Sequence, residues 1–133
     1  MTRINCVDPE ILHDKHLLAE YRELPRIFTL VKKALEGKGE LPCHTQSDQY
    51  VLGTGHMKFF YTRCGYLLKR QKQLIAECKR RGIQVQFTDP DSLVIGIPKY
   101  CMHDWEPDGK AIALNLARIF ERLEQMETKA NEY

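Results

Sequence analysis

Apolar residues return every three or four positions through Leu17, Leu18, Tyr21, Leu24, Ile27, Phe28, Val31, Ala34 and Leu35, the spacing of one buried helix face. This predicts a helix over about 14–36, with Asp14 to cap it and Gly37 to end it. Pro25 lies inside the pattern and cannot donate to the Tyr21 carbonyl, but the stripe resumes in phase, so a kink is expected and not a break. A second stripe of Phe60, Cys64, Leu67, Leu68, Leu74, Ile75 and Cys78 predicts a helix over about 58–81, closed by Gly82. A third predicts a helix over about 108–127, with Ile112, Leu116, Ile119, Phe120, Leu123 and Met126 facing inward.

Between these helices the pattern weakens. Residues 38–57 are rich in turn formers and read as an irregular connection. From Ile83 to Phe87 apolar and polar residues alternate as in a strand, and Leu93–Ile95 offers a partner, but two short strands alone are marginal. An extended loop is expected over 83–106. The fold class is therefore all-α: three main helices with long irregular loops, in a single compact domain spanning 1–133.

At 133 residues the chain can bury a core without disulfide or metal staples. No apolar run approaches the roughly 20 residues of a membrane span, and the N-terminus lacks the greasy stretch of a signal peptide, so the protein is expected to be soluble and not secreted. Five cysteines, odd in number and without a C-x-x-C pair, point to a reducing compartment and to thiols that act as small apolar side chains. His13 with His16, Cys43 with His44, and Cys101 with His103 each offer two metal ligands. None makes a set of four, so no metal is expected.

The net charge of +2 conceals an asymmetry. Lys58, Arg63, Lys69, Arg70, Lys72, Lys79, Arg80 and Arg81 stand against one acid, Glu77, whereas from Gly82 onward five basic residues face nine acidic ones. By itself such a run is usually a solvated helix face; it also marks where a polyanion would dock.

Candidate chemistry gathers at the start. Thr2 is small enough for Met1 to be removed, which would free an α-amine. Such an amine titrates near pH 8 and a lysine near 10.4, so at neutral pH roughly a tenth of the first is unprotonated and well under a hundredth of the second. Glu23 stands one turn from Arg26 and beside Arg22, a spacing that ordinarily gives only a surface salt bridge.

The segment Thr2-Arg3-Ile4-Asn5 and the run His16-Leu17-Leu18-Ala19-Glu20-Tyr21-Arg22-Glu23-Leu24-Pro25-Arg26 resemble the pyrimidine-dimer DNA glycosylases with abasic-site lyase activity, the phage endonuclease V type. The resemblance continues at Leu52-Gly53-Thr54-Gly55-His56 with Phe59-Phe60-Tyr61. It extends to Lys69-Arg70-Gln71 with Leu74-Ile75-Ala76-Glu77-Cys78 and Arg81-Gly82, and more faintly to Ala117-Arg118. It implies that the Thr2 amine is the nucleophile and that Glu23 promotes departure of the base. An imine to the opened sugar then loses a proton and eliminates the 3′ phosphate. Arg3, Arg22 and Arg26 match phosphate-holding positions, Arg118 and Arg122 fall where the family places further basic contacts, and His16 matches a position near the active site.

For His16 a packing role is as good a reading as a contact with DNA; for Arg118 and Arg122 a plain solvent-facing pair is nearly as good. The Gly53-Thr54-Gly55-His56 stretch reads as structural first. The resemblance further implies an intracellular monomer with access to double-stranded damaged DNA, with no membrane, cofactor or metal. The chain departs from the phage pattern at Met126–Tyr133, where a tail rich in Trp, Tyr and Lys is missing, which puts dimer specificity in doubt. An abasic-site lyase or a glycosylase for other lesions therefore stays open, as does a non-enzymatic DNA-binding or protein-binding helical module.

Overall fold

The computed structural model describes residues 4–38, 50–52 and 56–131. Four α-helices follow one another: α1 (Asp14–Lys38), α2 (His56–Phe59), α3 (Cys64–Arg80) and α4 (Gly109–Asn131). Short 3-10 turns lie at Pro9–Ile11, Pro90–Val94 and Lys99–Cys101. No strand forms among the described residues; a single antiparallel bridge joins Arg63 to Met102. This is the expected all-α arrangement of three long helices with irregular loops.

Helix α1 packs most extensively on α3, with Leu17, Leu24, Ile27, Phe28 and Val31 from the first and Leu67, Leu74 and Cys78 from the second fully or almost fully buried. It continues through Pro25 as one element. The ring removes the donor that the Tyr21 carbonyl would otherwise receive, and Gln71 of α3, itself completely buried, supplies it: its Nε2 donates to that carbonyl at 3.1 Å. The helix ends differ from expectation. His13, not Asp14, caps the start, its Nδ1 accepting from the Lys15 N–H, because the Asp14 carboxylate receives Arg81 at 2.9 Å. The other end runs past Gly37 to Lys38.

The helix expected over 58–81 is two helices. After Phe59 the backbone tightens into three-residue bonds, with the Arg63 N–H on the Phe60 carbonyl at 2.9 Å. This lets the neighbouring rings of Phe59 and Phe60 both enter the core, 5.0 Å apart edge to face. Arg63 closes the junction by donating to the Phe59 carbonyl at 2.7 Å. Gly65 then allows close passage of the 102–103 backbone, where a Cβ would stand 2.6 Å from the Met102 carbonyl. At the far end Gly82 takes φ +78° and completes a Schellman cap, with Ile83 N–H on the Cys78 carbonyl at 2.9 Å and Gly82 N–H on Lys79 at 3.1 Å.

The alternation at 83–87 survives as alternating burial without a sheet. Tyr21 makes this possible, because its hydroxyl donates to the Phe87 carbonyl and accepts from the Phe87 N–H, both at 2.9 Å.

Helix α4 begins as expected, with Asp108 capping Ala111 at 2.8 Å, but presents a different face. Ala111, Asn115 and Ile119 are buried while Phe120 is 61% exposed. Asn115 turns inward because it accepts from the Cys6 N–H and donates to the Asn5 side chain, both at 2.7 Å. Of the predicted inward stripe, Ile119 is buried and Leu116 and Leu123 pack against the core, while Ile112 and Phe120 are turned out to solvent.

Candidate active site

Position along a helix determines which side chains can act together. On α1, residues 16, 19, 23 and 26 share one flank beside the buried stripe. Glu23 and Arg26 meet there, Oε2 to Nη1 at 3.2 Å, with the carboxylate half-buried and the guanidinium exposed. Arg22 is exposed on the other side and lines a shallow groove with Tyr21, Pro25, Phe87 and Leu93. No carboxylate lies within ion-pair reach of Arg22 among the described residues, so its charge is available to a polyanion.

His16 sits two turns before Glu23, with its ring 6.0 Å from that of His13. Burial lowers its pKa from the usual value, and the positive charges of His13 and then Arg122 lower it further. Arg122, on α4, is near enough for its charge to be felt at His16. Arg122 also lacks a carboxylate partner among the described residues, while Arg118, one turn earlier, is 3.6 Å from Glu121. The structure thus brings Glu23 together with Arg26 and His16 together with His13. Thr2 and Arg3 lie outside the described residues, as do Cys43, His44 and Gly53–Gly55.

What is described is the chain that leads to them. Ile4 donates its N–H to His56 Nε2 at 2.8 Å, and its carbonyl accepts the Tyr50 hydroxyl at 2.8 Å. The Asn5 carbonyl accepts Tyr66, the Cys6 N–H meets Asn115, and the Val7 carbonyl receives Arg70. Arg70 in turn forms a buried pair with Glu20, Nε to Oε2 at 2.7 Å, and the Asn5 amide donates to the same carboxylate. These residues hold a terminal segment that would ordinarily fray. Sequence reading missed Asn5, Glu20, Tyr50, Tyr66, Arg70 and Asn115 as a group, because their partners lie from 15 to 110 residues away and no local spacing marks such pairs.

The basic run on α3 changes meaning once folded. Lys69 meets Asp104 at 2.9 Å, Lys72 meets Asp91 at 3.0 Å, and Arg80 and Arg81 share Glu77. Hydrogen bonds from Arg80 and then Arg81 hold the Glu77 carboxyl down to about 2. The acidic C-terminal half thus supplies partners for Lys69 and Lys72, in pairs that stay open to solvent, while Lys58 and Lys79 are exposed with no carboxylate in ion-pair reach among the described residues.

Cys6, Cys64, Cys78 and Cys101 are free and buried, and burial pushes the Cys6 and Cys64 thiols up to about 11 and about 12. They are poor nucleophiles at neutral pH. Among the described residues no group of three or more potential ligands could hold a metal, and no helix is long and apolar enough to cross a membrane.

A family model described as pyrimidine dimer DNA glycosylase matches residues 1–91, a stretch that contains the anchored N-terminus, α1, α2 and α3 and ends before α4.

Proposed function

Because the chain belongs to the pyrimidine dimer DNA glycosylase family, we propose that this DNA repair glycosylase excises UV-induced pyrimidine dimers with the Thr2 amine as nucleophile and then cleaves the abasic strand. The observation that carries this reading is the Glu23–Arg26 pair, partly open to solvent on the matched helix, close enough to surrender its partner to a sugar or phosphate.

In this mechanism the unprotonated Thr2 amine, exposed once Met1 is gone, attacks the anomeric carbon of the damaged nucleotide. The bond to the base breaks and its electron pair leaves with the base. Glu23 stabilises the positive charge that develops on the sugar. The amine loses a proton and the sugar ring opens, giving an imine. Glu23 then helps to remove a proton from the adjacent carbon, and the electrons expel the 3′ phosphate. Arg3, Arg22 and Arg26 hold phosphates around the lesion, and His16, Arg118 and Arg122 extend the grip from α4 and the start of α1. The whole chain acts as one domain and one monomer on double-stranded damaged DNA within the cell. An amine and a carboxylate suffice for these steps, so the mechanism uses no metal or cofactor.

Borohydride trapping on undamaged, abasic and irradiated duplexes tests the proposal. The expected result is an adduct with abasic and irradiated DNA that maps to Thr2. An adduct on an internal lysine would remove the amine assignment, and incision at abasic sites without incision at a cyclobutane dimer would reduce the activity to that of an abasic lyase.

A further inference from the structure

We propose that His56 and Tyr50 are positioning residues for the N-terminal amine: by gripping both backbone groups of Ile4 they set where the Thr2 nitrogen meets the sugar. The inference rests on the reading of Thr2 as nucleophile. Two residues of fully extended chain reach at most about 7 Å, so fixing the Ile4 nitrogen sets the anchor point and the limit of the amine's tether.

The grip is specific in its chemistry. His56 is buried, and its Nδ1 lies 2.6 Å from the Val51 carbonyl, which can only accept. The proton therefore resides on Nδ1, and Nε2 presents a lone pair to the Ile4 N–H at 2.8 Å. The imidazole is neutral and held in one tautomer. Tyr50 takes the other side of the same residue through the Ile4 carbonyl, and its ring stacks on Trp105 at 5.5 Å. Both ring nitrogens are thereby satisfied, as a buried histidine requires, and Tyr50 from the same short stretch takes the other backbone group of Ile4, so the pair orients the peptide and not the isoleucine side chain.

Misplacing a reacting group by about 1 Å can cost up to ~10²-fold in rate. His56→Leu removes the acceptor, Tyr50→Phe removes only a hydroxyl, and His56→Gln returns an amide oxygen that can accept from Ile4. Each is compared with wild type in single-turnover borohydride trapping at saturating abasic duplex, together with duplex affinity, melting temperature and reductive alkylation of the Thr2 amine by a small free aldehyde. We expect trapping by His56→Leu and Tyr50→Phe to slow about ten- to a hundredfold with affinity and small-aldehyde alkylation unchanged, and His56→Gln to recover most of the rate. A purely structural role would lower the melting temperature without separating the two amine reactions. Unaltered trapping in folded Tyr50→Phe, with the adduct still on Thr2, would overturn this inference alone, even if His56→Leu does not fold. An adduct off Thr2 in the wild type would overturn the underlying reading as well.

Discussion

Two glutamate–arginine pairs begin three residues apart on α1 and serve opposite ends. Glu20 joins Arg70 across 50 residues at 2.7 Å, with the two side chains 0% and 3% exposed. Glu23 joins Arg26 one turn away at 3.2 Å, with exposures of 30% and 71%. The first pair has lost its water, so the remaining lone pairs and N–H groups must find partners: Asn5 donates to the Glu20 carboxylate and the Val7 carbonyl accepts from Arg70. The second pair stays partly hydrated and contributes little to stability, so it can exchange partners when a phosphate arrives. Among the other cations, Lys69, Lys72 and Arg80 pair with Asp104, Asp91 and Glu77 while half or more exposed, whereas Arg22 and Arg122 face solvent without a carboxylate among the described residues. For the two glutamates of α1, burial and not residue type separates charge that shapes the fold from charge left open to substrate.

The largest expected effect comes from breaking the buried pair. Arg70→Ala leaves the Glu20 carboxylate in the core with its counter-charge gone and only the Asn5 amide as partner, and it releases Val7, which should destabilise the protein by about 3–5 kcal/mol. Urea unfolding measures this, and an unchanged midpoint would mean that the network does not hold the N-terminal segment.

Glu23→Gln should do the reverse. Stability should stay within about 1 kcal/mol of wild type, and duplex binding should persist, while base release falls ~10²-fold or more because the amide can neither carry the charge nor take the proton. Single-turnover glycosylase assays beside thermal melts check both halves. Normal turnover would collapse the contrast between the two glutamates.

Much of the fold was legible because apolar spacing reports directly on which helix face is buried. The α1 stripe, the Gly82 stop and the loop at 83–106 were all within reach of that rule. Asn115 was not: periodicity counts apolar residues, so a buried amide that turns α4 by its own hydrogen bonds leaves no mark. Nor does local spacing reveal that Glu20 will meet a residue 50 positions on, or that Lys69 and Lys72 will find acids from the far half of the chain. The candidate site was legible through the matched run at 16–26 and not through its charges, since Glu20 and Glu23 look alike until burial separates them.

A smaller effect distinguishes the two sets of cations. If about five basic side chains meet phosphates, log affinity should fall against log salt with a slope of roughly −4 to −5, and Arg26→Ala should reduce that slope by about one. Lys72→Ala should leave it unchanged, because Lys72, unlike Arg26, falls at none of the phosphate-holding positions that the family resemblance implies. Fluorescence titrations over a range of salt decide it, and an equal loss in both variants would return α3 to the DNA-facing surface.

The smallest effect belongs to His16. Burial first, then the positive charges of His13 and Arg122, lower its folded pKa from the ordinary 6.5. The unfolded chain therefore takes up a proton at a pH where the folded protein still refuses it. The stability linked to neutral His16 is fully present above pH 6.5, declines as pH falls through that value, and levels off once the folded pKa is passed. His16→Gln should remove that part of the acid loss, seen as a shallower decline of melting temperature below pH 6.5. Bound DNA should act in the opposite sense, since a phosphate beside the ring favours the imidazolium. Binding should then take up protons in this range, and calorimetry in buffers of different ionisation enthalpy would count them. Proton uptake that persists in His16→Gln would place the titrating group elsewhere and leave His16 as a packing residue.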